Sequence, residues 1–138
     1  MRSALIGMAG LVLALAGGRD GGASEGDPLR AYRGTRRVLV LSAPNADDPR
    51  LGAQRQALAS ARPGLTERDL LVVEAIGPGS QASSLRRALD LPAGAFRAVL
   101  VGKDGGAKLT SPEPIPPQAL FSTIDAMPMR RDEMRSQR

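Results

Sequence analysis

Few residue types in this chain can do chemistry. Its 138 residues include no Cys and no His. That removes thiol and disulfide chemistry, histidine-based triads, histidine acid–base work and zinc sites of the Cys/His kind. Polar chemistry is left to Asp, Glu, Lys, Arg, Ser, Thr and a single Tyr. Two stretches concentrate it. Asn45, Asp47 and Asp48 lie between Pro44 and Pro49, and this pair of adjacent carboxylates could hold a cation or a hydroxyl-bearing ligand. The plainer reading is capping, since Asp48 suits an N-cap and Pro49 the first helical position. The second stretch is Met127-Pro128-Met129-Arg130-Arg131. Adaptable Met side chains beside paired Arg could dock a partner through acidic groups. The bland alternative has the Met filling core gaps and Arg130 and Arg131 ion-paired to Asp125, Asp132 or Glu133.

Two weaker motifs fall away on inspection. Ser42 would need a base to become a nucleophile, and neither G-x-S-x-G nor S-x-x-K surrounds it. Lys103-Asp104-Gly105-Gly106 lacks the G-x4-G-K-[ST] pattern of a phosphate loop and joins two apolar runs, so it reads as a hairpin turn. No catalytic residue, metal site or cofactor is expected.

Apolar runs and breakers define the elements that must carry these residues. Val38-Leu39-Val40-Leu41 is apolar on both faces, which suits a central strand of a covered sheet. Ala98-Val99-Leu100-Val101, a turn with Asp104-Gly105 at positive φ, and the alternating Ala107, Leu109 and Ser111 predict a hairpin with its second arm nearer an edge. The spacing predicts strands near 36–42, 69–76, 97–102 and 107–111. It predicts helices near 49–62, 81–90 and 117–127, with Leu51, Gln54, Leu58 and Ala61 sharing the first helix's inner face. Pro63-Gly64 reads as a helix stop, and Pro128 interrupts or ends the last helix. The order β-α-β-α-β-β-α is that of a thioredoxin-like α/β fold, a four-stranded mixed sheet with helices on both faces.

The ends read differently. Residues 1–16 carry Arg2, an apolar core and Ala14-Leu15-Ala16, the pattern of a cleaved secretory signal. Its apolar core falls short of the ~20 residues that span a bilayer, so a periplasmic or secreted product, not membrane-spanning after cleavage, is expected. Residues 17–34 read as a flexible leader in which 28–34 lies extended along the domain, 35–128 as the domain, and 129–138 as a charged tail. Formal net charge is +5, and of 19 basic residues only Lys103 and Lys108 are lysine. These charges are dispersed, and aromatics make up 2% of the chain, leaving few platforms for stacking bases. Specific nucleic-acid binding is therefore not expected; a protein or an acidic ligand in the envelope is.

The segments RVLVLSAP, ERDLLVV, VLVGKDGGAKL and LFSTIDAMPMRRDEMR, together with Gln54 and Gln56, resemble the DUF4174 family over about residues 36–135. The resemblance implies an exported thioredoxin-like domain, distantly similar to peroxiredoxins, with relatives in extracellular sushi-repeat proteins of animals. It carries over a fold and no catalytic residues. A redox thioredoxin places its Cys at the helix start after the first strand, where this chain has Asp47 and Asp48, and a Pro before the hairpin, where it has Phe96-Arg97-Ala98. Thiol–disulfide and peroxidase activity are thus not expected. The leading expectation is a non-catalytic binding or interaction module. The alternative is an enzyme or redox-pathway component using a polar pocket at the end of the first strand.

Overall fold

A computed structural model describes residues 26–137. The expected signal at 1–16 and the leader as far as residue 25 lie outside the described residues. A 3-10 turn, Arg30–Tyr32, precedes β1 (Arg37–Ala43). Then follow α1 (Pro49–Ala59), α2 (Arg62–Glu67), β2 (Leu70–Ile76), α3 (Ser80–Leu89), β3 (Arg97–Val101), β4 (Ala107–Ser111), α4 (Pro117–Asp125) and α5 (Pro128–Ser136). The sheet order is β2-β1-β3-β4, with β1 parallel to β2 and the other pairs antiparallel. This is the expected mixed sheet, and its order fits a thioredoxin-like α/β fold.

The run at 38–41 forms a central strand because it can bury both faces. Every residue of β1 is buried. Leu39 and Leu41 point into one layer with Leu51, Leu58 and Leu65 of α1 and α2 and Leu120 and Ile124 of α4. Val38 and Val40 point into the other, against Leu29 and against Ala82 and Leu85 of α3. Three helices thus cover the first face, while α3 and the segment around Leu29 cover the second. Gln54 is polar on an apolar face because its amide exchanges two hydrogen bonds with the main chain of Ile115, at 2.9 and 2.7 Å. It thereby satisfies the buried backbone of the proline-rich connector.

Four boundaries differ from the sequence expectation. Pro63 does not end the first helix; it takes the first turn of a second, α2, where its missing N–H costs nothing. Pro128 likewise opens α5, so 129–138 is not a bare charged tail but largely helix. The segment 28–34 forms a 3-10 turn with Leu29 buried instead of lying extended. In the hairpin turn, positive φ falls on Gly105 alone, at +87°, not on adjacent positions. The Gly105 N–H donates to the Gly102 carbonyl at 2.9 Å, closing a four-residue turn before the glycine.

Candidate functional site

At the end of β1, the carboxylates of Asp47 and Asp48 have different surroundings. Asp48 caps α1, its carboxylate accepting from the Arg50 N–H at 2.9 Å. Asn45 accepts from the Asp47 N–H at 2.9 Å, and the Asp47 carboxylate faces solvent. Among the described residues, no cluster of three His, Cys, Asp or Glu could hold a metal. Beneath this loop, Ser42 is fully buried and accepts from Arg86 Nε at 2.9 Å. Arg86 Nη1 donates to the Gly77 carbonyl at 2.8 Å, and Nη2 to those of Ala43 and Ala75, both at 3.0 Å. Among the described residues this buried guanidinium has no carboxylate partner. It is a plug: one rigid fork closing the ends of β1 and β2.

The arginine pair of the second stretch is split. Arg130 is 1% exposed and Arg131 is exposed. Arg130 donates to Asp125 at 3.0 Å and to Glu67 at 2.8 Å. Arg68 donates to both oxygens of Asp125, at 3.0 and 2.9 Å, and stacks 4.2 Å above the Phe121 ring. Farther along α5, Glu133 accepts from Arg37 at 3.2 and 3.0 Å and from Lys103 at 2.8 Å. Lys103 also reaches Asp69 at 3.0 Å. Met127 packs on the first core layer, and Met129 is exposed. The bland reading thus describes Arg130, whose donors are spent inside the domain, tying α5 to Asp125 of α4 and Glu67 of α2.

This network dictates an acid response. Hydrogen bonds from Arg68, with smaller help from Arg130, outweigh burial and hold the Asp125 carboxyl below its ordinary value. Burial pushes Glu133 upward, but hydrogen bonds from Arg37 and Lys103 outweigh it, and its carboxyl also lies low. A carboxylate depressed in the folded state adds stability that is complete above its unfolded pKa and lost as pH falls through the folded value. The melting temperature followed by circular dichroism is therefore expected to be level from about pH 7 to 5 and to fall steeply below about pH 4. A level profile down to pH 3 would mean that these contacts contribute nothing.

The concavity lies elsewhere. A cleft of about 570 Å³ opens on the thinly covered face, between the 3-10 turn, α3 and the hairpin turn. Leu29, Val38 and Val101 line it, with Tyr32, Arg36 and Arg87 around them. Arg33 also lines it, but is ion-paired to Asp27 and packs over Gly105. Arg36 and Arg87 are exposed and make no salt bridge among the described residues, nor does the Tyr32 hydroxyl find a hydrogen-bond partner there. Burial raises the phenol of Tyr32 above its ordinary value near 10.0, Arg36 opposing it, so the hydroxyl is kept as a donor at neutral pH.

Sequence reasoning missed these residues. The available signals were the single Tyr set among arginines in Arg30-Ala31-Tyr32-Arg33, and the adjacent Arg86 and Arg87 in a short helix, one of which must turn outward.

A family model for a domain of unknown function, DUF4174, matches residues 28–133. The chain is 34% identical over 113 residues to the sushi repeat-containing protein SRPX of Rattus norvegicus, and equally to those of Homo sapiens and Mus musculus. Each match covers 72% of this chain but 24% of the relative, so the chain spans about a quarter of the length of these curated relatives. No solved structure matches the chain. The matched span begins at the turn that walls the cleft and ends at Glu133, the acid that joins Arg37 to Lys103, and takes in all four strands: the chain belongs to the DUF4174 family.

Proposed function

We propose that this domain is an exported, non-catalytic binding module whose ligand seat is the cleft beside the 3-10 turn. The observation that carries this reading is the contrast between two ends of the molecule. At the end of β1, where a thioredoxin-like frame would present its reactive group, the Ser42 hydroxyl is buried and held by Arg86. In the cleft, Arg36, Arg87 and the Tyr32 hydroxyl face a shared space with hydrogen-bonding capacity to spare. A concave site with an apolar floor and a few polar groups is the usual form of a small-molecule seat. A modular role is supported by the relatives, which are named for sushi repeats and of which this chain matches 24%. Export is supported by the sequence pattern at 1–16, and among the described residues no helix is long and apolar enough to cross a membrane.

Native mass spectrometry of protein purified from its own host tests the proposal. The expected spectrum shows a polypeptide starting after Ala16 and carrying a small molecule that denaturation releases unchanged. Conversion of that molecule by substoichiometric protein would overturn the non-catalytic reading. Retention of residues 1–16 in a membrane fraction would make that segment an anchor and overturn its cleavage.

A further inference from the structure

Resting on the binding-module reading, we infer that the cleft takes a small amphiphilic anion, a carboxylate or phosphate head on a short aliphatic body. Two sets of groups divide the space. Pro28, Tyr32 and Leu89, each partly exposed, and the exposed Ala88 supply an apolar wall laid over the buried Leu29, Val38 and Val101 of the second core layer. Arg36, Arg87 and the phenolic donor of Tyr32 supply the charged side. Arginine forks match the two oxygens of a carboxylate or phosphate, and the gain grows as water is displaced.

The charge balance selects the sign. Among the described residues Asp27 is the one carboxylate lining the cleft, and Arg33 already neutralises it. Among the described residues Arg36 and Arg87 make no salt bridge and face no second lining acid, and a cleft with low-dielectric walls focuses their field on its contents. The volume, about 570 Å³, lies within the ~300–1,000 Å³ typical of ligand seats. A bare inorganic ion would leave the aliphatic wall uncovered, and a neutral chain would leave both guanidiniums unmatched.

The protein contains its own reporter. Tyr32 is the single tyrosine and there is no tryptophan, so tyrosine emission reads this cleft alone. Titrations of the whole protein with n-hexyl phosphate, hexanoate, hexanol and inorganic phosphate, paired with thermal melts, test the inference. The two amphiphilic anions are expected to change the emission saturably and to raise the melting temperature. Hexanol and inorganic phosphate are each expected to bind at least tenfold more weakly. Arg36→Ala and Arg87→Ala are each expected to weaken the better anion about tenfold, a loss of roughly 1.4 kcal/mol. Arg62→Ala, on exposed α2 against the opposite core layer, is expected to leave it unchanged. The ranking of hexanoate against n-hexyl phosphate identifies the preferred head. If hexanol binds as well as the anions and the two arginine variants match the wild type, the anion inference fails while the cleft stands as a ligand seat. If inorganic phosphate equals n-hexyl phosphate, the aliphatic body has no role and the inference also fails. If no probe moves either the emission or the melting temperature, both the inference and the reading beneath it fall.

Discussion

Arg86→Met is expected to lower the melting temperature by roughly 10–20 °C, corresponding to about 3 kcal/mol for a domain near 100 residues. Methionine matches the length of the stem and removes a buried charge, which by itself relieves desolvation. The loss comes from the partners. Ser42 Oγ and the carbonyls of Ala43, Ala75 and Gly77 all accept from this one guanidinium. The carbonyls are main chain and cannot be substituted away with it. Each buried acceptor left unsatisfied costs about 1–3 kcal/mol, offset at Ala43 by the Gly77 N–H that also donates to it at 3.1 Å. Arg86→Lys keeps the charge but replaces the planar fork with a single ammonium, and falls between wild type and Arg86→Met. Thermal melts at neutral pH measure all three. An Arg86→Met protein melting within about 2 °C of the wild type would show that water takes over these acceptors.

Glu133→Gln is expected to cost about 3 kcal/mol, the size seen when one member of a buried ion pair is removed. Its two cationic partners are themselves enclosed: the side chain of Arg37 is 1% exposed and that of Lys103 is 9% exposed. Lys103 keeps Asp69, so the larger share falls on Arg37, whose Nε already lacks a hydrogen-bond partner. Asp132, the preceding residue, faces solvent and pairs with the exposed Arg135. Asp132→Asn is therefore expected to stay within about 0.5 kcal/mol. Urea unfolding of the two variants separates these outcomes, and equal costs would refute the buried-network account.

The strands were legible because their signal is local. In β1, Val38-Leu39-Val40-Leu41 states by composition alone that both faces are covered, and β1 starts and ends within one residue of its expected bounds. The hairpin was equally plain, since Gly105 marks the turn and Leu109 faces inward on the second arm. Helix ends at Pro63 and Pro128 were misread because proline both ends one helix and begins the next. Only the packing of Leu65 and Arg130 behind them decides which.

The arginines were illegible for a different reason. Arg37, Arg86 and Arg130 are buried by partners far along the chain, and sequence treats every guanidinium as equally wet. Nothing near Arg36 and Arg37 says that the second turns inward toward Glu133 while the first stays at the cleft. Arg36 and Arg87 stand out only because, among the described arginines left without an acid, these two line the same cleft.

The reach of Glu133 also sets an order on assembly. It lies 96 residues beyond Arg37 and 30 beyond Lys103, so β1 and the hairpin turn are synthesised before the acid that neutralises their enclosed cations. A nascent chain that lacks α5 has, among the described residues, no acid to neutralise Arg37. Closing so long a loop is also slow, because chain entropy is lost before the contact forms. The C-terminal helix thus supplies its acid late: Arg37 and Lys103 find their shared counter-charge only once residue 133 has been made.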